Sequence, residues 1–486
     1  MAEQDQHSAL EDLSKERLAQ IILDQQQTIR ELRGEIQKLK EANEHLREQL
    51  ETSEREGKRQ AAPFRRKEQK RSENPSEPGR KEGHEGQTRA VPTKIDRRVE
   101  AELEACPHCE GTDIGQQRPI KQYIEELPPR QVETVELVTY RGECSQCGAV
   151  ESSHPLKTSG ATGAAGRQVG PRAQAVATSL VYDQGLTLRK ACEVIEELFG
   201  LRLSPGGLSQ IAARAGQQLE PEEAKLAEAA RSSSVQHVDE TSWWVASADP
   251  ERQPHWLWVF AGPSGQTIYR VDHRRNREVV DETLGSGFSG VLVSDCLNIY
   301  DSWAGGEQQK CYAHHLKAVS TAQSEHEALC GGEPSAYLRR VRALLQGAMG
   351  LGAAQEEIPA GRADDYRKGL EESADRLLSP RARSDLTDEG LTDPEDYVRN
   401  RLWKQRDHLF TFLDHAGVAA TNNLAERRLR PAVIQRKLSC GNQTEKGART
   451  WEILASLAAT YAQRGRSFVK LVKEAVSFEP QLAVVR

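Results

Sequence analysis

The chain has 486 residues, of which 37% are hydrophobic and 29% are charged, and its formal net charge is −7. This length exceeds what one compact domain usually contains, so we expect three or more structural units. No segment approaches the roughly 20 apolar residues that a transmembrane helix requires, and the polar N-terminus differs from a signal peptide, which predicts a cytoplasmic protein without membrane partners.

Residues 10–52 carry two heptad series that are offset by three and four residues. One consists of Leu18, Gln25, Leu32, Leu39 and Leu46, and the other of Ile22, Ile29, Ile36, Asn43 and Leu50. An apolar seam of this length favours a coiled coil through which the chain forms a homo-oligomer. The alternative is one amphipathic helix that packs against its own protein.

Residues 53–98 are poor in apolar side chains and are locally basic. From Arg55 to Arg98 there are 14 Lys and Arg against 7 Asp and Glu. This composition predicts a disordered basic linker, either a solvated tether or a segment that makes weak contacts with DNA phosphates.

Residues 99–155 contain two CxxC pairs, Cys106 with Cys109 and Cys144 with Cys147. Each pair can present two thiolates on a tight turn, and two such turns complete a tetrahedral site for a structural Zn²⁺ ion. Short β-rich segments between the pairs are typical of a zinc ribbon. The alternative is a redox-active or chance arrangement.

Residues 168–231 predict three helices. Thr187 and Ser204 are suited to begin helices, and Gly185 and Gly200 are suited to end them. Helices joined by turns of this length resemble a helix-turn-helix DNA-binding module, although any small helical bundle has the same pattern.

In residues 232–320 the apolar side chains follow the pattern typical of β-strands. Three β-rich segments are followed by a helix and then by the buried strand "GVLVSD". This order is the opening of a ribonuclease-H-like α/β fold, in which Asp239 lies on the first strand and Asp295 ends the neighbouring fourth strand.

A third acid is expected from the segment "TNNLAERRLRPAVIQRK", in which a polar cap at Asn422 or Asn423 precedes a helix that carries Glu426. Glu426 follows Asp295 by 131 positions, which exceeds what the fold needs. We therefore expect a helical insertion over 321–415, with the second part of the core and a C-terminal tail over 416–486.

Three carboxylates in one place are suited to metal-dependent phosphoryl transfer. Mg²⁺ prefers oxygen ligands, and Mn²⁺ can replace it. Two ions roughly 3.5–4 Å apart activate the attacking oxygen and stabilise the leaving one. Taken singly, an Asp after a strand is more often a cap, and a Glu in a basic helix is more often an ion-pair partner.

The basic residues around Glu426 are candidates for DNA phosphate contacts: Arg427, Arg428, Arg430, Arg436 and Lys437.

The words "HVDET", "SDCLNIYD", "CYAHHLK" and "NNLAERRLRPAVIQRK" resemble the insertion sequence 66 family of bacterial DDE transposases, over nearly the whole chain. The resemblance implies that Asp239, Asp295 and Glu426 are the catalytic acids. It also implies binding of terminal inverted repeats and target DNA, strand cleavage and strand transfer, accessory proteins of the same element, and association with the nucleoid. The stretch "LSCGNQT" and the residues His315 and Leu316 depart from the family pattern and bear on DNA contacts, not on metal chemistry.

Four further residues are expected to have structural roles: Glu240, Cys311, His314 and Trp403. Glu240 is expected to point away from Asp239, because neighbouring residues of a strand face opposite sides. Cys311 and His314 are only half of a zinc site, so packing beside the active site is the preferred interpretation. Trp403 is expected to be a packing residue rather than one that stacks on a base.

Two other functions remain open at this point. One is a DNA-binding relative that has lost cleavage, and the other is a metal-dependent nuclease without strand transfer. The presence of all three acids argues against the first.

Overall fold

The structure is a computed structural model that describes residues 91–156 with short gaps, and residues 168–246, 255–354, 360–379 and 392–477. The predicted coiled coil, most of the predicted linker, and Cys106 and Cys109 lie outside the described residues. The chain divides into two compact units, Met1–Glu125 and Glu126–Arg486. Every helix and strand described below belongs to the second unit. None of the helices in the described ranges is long and apolar enough to span a bilayer.

The second CxxC pair lies in a β-hairpin. Strand β1 (Arg141–Cys144) pairs antiparallel with β2 (Gly148–Glu151), and Cys144 lies opposite Gly148. Gly148 has a φ of +81°, which a residue with a side chain rarely adopts, and this allows the chain to leave the turn.

Three helices follow, as the sequence predicts: α1 (Pro171–Tyr182), α2 (Leu188–Phe199) and α3 (Pro205–Arg231). The Thr187 hydroxyl accepts from the Lys190 N–H, and the Ser204 hydroxyl accepts from the Gly207 N–H, so both residues cap their helices. The third helix is longer than a helix-turn-helix needs. It continues to Arg231, and only its first turns pack with α1 and α2 in a small separate core. Its later turns pack in the core of the sheet.

Five strands form one mixed sheet in the order β5-β4-β3-β6-β7. Strands β3, β4 and β5 are an antiparallel meander, whereas β6 and β7 run parallel to β3. The strands are β3 (Val235–Trp243), β4 (His255–Ala261), β5 (Thr267–Asp272), β6 (Val291–Ser294) and β7 (Glu307–Lys310), with α4 (Arg277–Leu284) between β5 and β6 and α5 (Asn298–Asp301) between β6 and β7. The predicted mixed α/β architecture is confirmed.

The chain continues as helices after the sheet. Four of them pack together and against one face of β3 and β6, through residues such as Val235, Val293 and Leu338. These four are α6 (Tyr312–Leu329), α7 (Ala336–Ala353), α8 (Ala360–Leu378) and α9 (Asp393–Lys404). Two more helices return to the sheet, α10 (Asn423–Ser439) and α11 (Glu445–Gln463), and the last helix, α12 (Phe468–Val476), packs against α1 and α3.

Helix α11 covers the edge strand β5. The backbone N–H groups of Thr267, Tyr269 and Val271 donate to side chains that lie one turn apart on α11, namely Thr460, Ser456 and Glu452. The spacing works because four residues of helix and two residues of strand both advance by about 6–7 Å. This satisfies donors that would otherwise be exposed on the sheet edge.

Candidate active site

Asp239 and Asp295 lie side by side at the centre of the sheet. On the parallel strands β3 and β6, His237 pairs with Val293, and each aspartate follows two residues later. Asp295 directly follows the last residue of β6, and its carboxylate is close enough to that of Asp239 to raise the pKa of Asp239. The Asp239 Oδ1 accepts from the Glu240 N–H at 3.0 Å, and the Asp295 Oδ1 accepts from the Leu297 N–H at 3.0 Å.

Glu426 approaches this pair from the first turn of α10, which packs across β3 and β4. The helix is anchored by Asn422, which is fully buried. Its Nδ2 donates to the Val238 carbonyl at 2.7 Å, and its Oδ1 lies 3.2 Å from the His237 Nδ1. The predicted cap position is correct, but the Asn422 side chain binds the strand instead of capping the helix. Its backbone carbonyl accepts from the Glu426 N–H at 3.2 Å.

The electrostatics of Asp239 reflect this convergence. Burial raises the pKa of Asp239 to about 7, and the carboxylates of Glu240, Asp295 and Glu426 contribute in the same direction. Within the described ranges, none of the three acids forms an ion pair with a lysine, arginine or histidine. Several oxygen ligands without a compensating cation are a suitable environment for Mg²⁺.

Glu240 points to the other face of the sheet, as the alternation of a strand requires. Its carboxylate is buried and accepts hydrogen bonds from the Tyr300 hydroxyl and from the Arg275 guanidinium at 2.8 Å. The Arg275 guanidinium also stacks over the Trp256 ring at 4.1 Å. Glu240 therefore already has partners and supports β3 from behind.

Strand β7 contributes a buried lysine that the sequence did not indicate. Lys310 is fully buried one strand away from Asp295, and its Nζ lies 3.3 Å from Asp301 Oδ1 and 3.3 Å from Ser294 Oγ. The strand sequence "EQQK" has no apolar alternation, and this is why strand patterns do not identify it. Its buried glutamines are held by hydrogen bonds to neighbouring backbone groups.

Cys311 and His314 lie next to Glu426. One potential ligand atom from each of the three residues lies within 4.8 Å of the other two. The spacing of Cys311 and His314 in the sequence predicts that these two residues lie close together. It does not predict Glu426 as their neighbour, because Glu426 follows His314 by more than a hundred residues.

The predicted DNA-contacting residues of α10 fall into two groups. Arg427, Arg430 and Lys437 are exposed, whereas Arg428 and Arg436 are half-buried. The Arg436 guanidinium donates to Thr241 Oγ1 at 3.2 Å and to Ser242 Oγ at 3.0 Å, so it binds strand β3. The first group remains accessible to a ligand.

Of the predicted zinc ligands, the structure describes Cys144 and Cys147. Backbone N–H groups of Gln146 and Cys147 point at the Cys144 sulfur and hold the pKa of that thiol below its usual value. A tight turn with amides directed at a sulfur is compatible with a zinc knuckle.

Comparison with known proteins identifies the family of the chain. Residues 166–450 match the family model described as Transposase IS66 family. The chain is also similar to the uncharacterized protein y4qI of Sinorhizobium fredii, with 24% identity over 403 residues that cover 76% of this chain and 70% of that protein. The matched family segment contains β3, β6 and α10, together with Asp239, Asp295 and Glu426. The chain therefore belongs to the IS66 family of transposases.

Proposed function

We propose that the chain is a DNA transposase that cuts and joins DNA strands at an active site formed by Asp239, Asp295 and Glu426. The observation that carries the proposal is the placement of two aspartates on adjacent parallel strands, with the glutamate on a helix that Asn422 attaches to the first strand. Membership of a transposase family supports the same assignment.

The topology supports it further. A sheet in the order β5-β4-β3-β6-β7, with an antiparallel meander followed by two parallel strands, has the strand order of a ribonuclease-H-like core. In this interpretation, helices α6 to α9 are an insertion between the last strand and the helix that carries Glu426. The insertion accounts for the long interval between the second and third acids.

The three carboxylates fit two Mg²⁺ ions, or Mn²⁺ in their place, because they offer only oxygen ligands and none of them forms an ion pair with a described cation. When bound, such ions activate an attacking water or 3′-hydroxyl and stabilise the leaving oxygen. The protein's own residues hold the carboxylates in place: Asn422 fixes α10, and the Leu297 N–H orients Asp295. Arg427, Arg430 and Lys437 are free to bind phosphates of the DNA strand.

The remaining parts of the chain are assigned to DNA and to assembly. The helices α1 to α3 and a structural zinc module formed by Cys106, Cys109, Cys144 and Cys147 would bind the terminal inverted repeats. The coiled coil would join copies of the chain so that two ends of the element meet, with accessory proteins of that element as further partners. A position at the nucleoid follows from DNA binding.

The reaction products test this proposal. The purified chain is incubated with Mg²⁺ and labelled DNA carrying the ends of the element that encodes it. A transposase yields cleaved ends with a free 3′-hydroxyl and then strands joined to a target plasmid. Cleavage without joining would indicate a nuclease, and binding without cleavage would indicate a catalytically silent relative; either result would overturn the proposal.

A further inference from the structure

Cys311, His314 and Glu426 form a cluster beside the two aspartates. The Cys311 Sγ, a ring nitrogen of His314 and a carboxylate oxygen of Glu426 all lie within 4.8 Å of one another. Cys311 is fully buried, and the other two side chains are half-buried. We propose that these three residues bind a zinc ion.

The backbone around the cluster holds the three residues in place. The Cys311 N–H donates to the Ser294 carbonyl at 2.9 Å, which ties the cysteine to the end of β6. The Asn422 N–H donates to the Cys311 Sγ at 3.1 Å. This contact joins the start of α6 to the start of α10, where Glu426 lies one turn further along. The ligands are thus presented by parts of the fold that are already fixed.

The positions along α6 bring the first two ligands together. His314 follows Cys311 by three residues, and its N–H donates to the Cys311 carbonyl at 3.1 Å, so the two side chains lie on the same face of the first helical turn. The His314 Nδ1 is buried and has no hydrogen-bond partner in the part of the chain that the structure describes. A buried ring nitrogen without a partner is costly unless it has another use, such as binding a metal.

The chemistry of the set selects the metal. Thiolate, imidazole and carboxylate are the ligands that zinc prefers, whereas Mg²⁺ is bound by oxygen alone. With zinc–ligand bonds of about 2.0–2.3 Å, the ligand atoms of a tetrahedral site lie about 3.3–3.8 Å apart, so small side-chain movements would close the cluster on an ion. Three protein ligands leave the fourth position to water or to an oxygen of a bound molecule.

This zinc site is separate from the proposed Mg²⁺ chemistry, and zinc binding can be measured without DNA or Mg²⁺. Glu426 would bind Mg²⁺ with one carboxylate oxygen and zinc with the other. Zinc bound here would therefore connect α6 and α10 at the point where the third acid enters the active site.

Zinc content is the measurement. The full chain is dialysed to equilibrium against buffered free zinc, and zinc per chain is determined by plasma mass spectrometry. We expect Cys311→Ser and His314→Ala each to hold one zinc fewer than the wild type. Cys330→Ser is the matched control, because this exposed cysteine at the other end of α6 has no part in the cluster. Zinc bound at the predicted ribbon is the same in all these proteins, so it cancels in the difference in zinc content between a variant and the wild type.

Cobalt spectroscopy extends the test to the ligand type and keeps it independent of catalysis. The Co²⁺ spectrum of the wild type minus that of Cys311→Ser should contain the charge-transfer band of one thiolate, and Glu426→Gln should weaken Co²⁺ binding at least tenfold. Circular dichroism confirms that each variant is folded, and His314→Ala decides the question if Cys311→Ser does not fold. Equal zinc content in wild type and the two variants would overturn the inference, even if Glu426→Gln abolishes strand joining.

Discussion

At the scale of single residues, Asp239 is the acid of the candidate site whose pKa is raised to about 7. Its carboxylate is largely buried, has other carboxylates as neighbours, and accepts one hydrogen bond from the Glu240 N–H. In the folded protein without metal, ionisation of Asp239 is therefore unfavourable. This is the expected state of a carboxylate whose negative charge is meant to be neutralised by a bound cation.

This leads to a prediction about pH. The pKa of Asp239 is raised from 3.8 to about 7, so the contribution of this group to the stability of the metal-free protein is most favourable below about pH 4 and falls as pH rises toward 7. Asp239→Asn cannot ionise and should be more stable than the wild type above pH 7, by roughly 2–4 kcal/mol, because each pKa unit corresponds to about 1.4 kcal/mol. Urea unfolding with a metal chelator at about pH 5 and about pH 8 measures the difference.

The control for this experiment is Asp281→Asn, which changes an exposed aspartate on α4 and should not alter stability at either pH. Added Mg²⁺ should stabilise the wild type and reduce its difference from Asp239→Asn. Equal stability of wild type and Asp239→Asn at the higher pH would contradict this account of the site.

A second prediction concerns Asn422. Asn422→Ala removes the donor to the Val238 carbonyl and the partner of His237, both of which are buried. We expect a loss of about 2–4 kcal/mol in the free energy of unfolding, because two buried polar groups lose partners. Strand joining should fall at least tenfold, because Glu426 is no longer held in register.

Asn423→Ala is the matched control for Asn422. This next residue is exposed, so its truncation should leave both stability and strand joining close to those of the wild type. If the two substitutions had the same small effect, Asn422 would not be the anchor of α10.

At the scale of elements, the edge strand β7 shows how polar residues can be buried in a core. The Gln309 Oε1 accepts from the Phe412 N–H at 2.9 Å, and its Nε2 donates to the Leu409 carbonyl at 3.2 Å. These bonds attach the segment after α9 to the sheet. The buried glutamine therefore connects the inserted helices to the strand next to Asp295.

Gln309→Leu tests this connection. Leucine has a similar size but leaves the Phe412 N–H and the Leu409 carbonyl without partners, so the free energy of unfolding should fall by about 2–4 kcal/mol. Thermal or urea unfolding gives the value. Glu307→Gln, in the exposed first position of the same strand, should change it by less than about 1 kcal/mol. A stable Gln309→Leu protein would show that the polar contacts are dispensable.

The elements also show what sequence patterns can and cannot predict. Strands β3, β4 and β5 alternate apolar residues or run apolar, and the capped helices α2 and α3 have clear start signals, so both are predictable. Strand β7 and the full length of α3 are not, because buried polar contacts and packing on the sheet decide them. The approach of Glu426 to Asp239 depends on Asn422, a long-range contact that no local spacing encodes.

At the scale of the whole molecule, Asp239, Asp295 and the cluster of Cys311, His314 and Glu426 all belong to the unit Glu126–Arg486. The heptads at the N-terminus predict that copies of this unit are joined by a coiled coil. A transposase must bring two DNA ends together, and a permanent connection between copies is a simple way to do so.

Substitution within the heptads tests this assembly. Leu32→Lys combined with Ile36→Lys places two charges in the apolar seam and should convert the oligomer to a monomer. Gln27→Lys combined with Gln37→Lys adds the same charge outside the seam and should leave the oligomer intact. Analytical ultracentrifugation of the full chain gives the masses, and an unchanged mass for the first variant would disprove the coiled coil.

The central claim is that Asp239, Asp295 and Glu426 act together in strand joining. The most direct measurement is the rate of strand joining with Mg²⁺ by Asp239→Asn, Asp295→Asn and Glu426→Gln, with Asp281→Asn as the folded control. We predict that each of the first three loses joining by at least about a thousandfold while keeping its fold and its binding to end DNA, because each removes a metal ligand from one unit. Joining at the normal rate by any one of them would contradict the assignment of that acid.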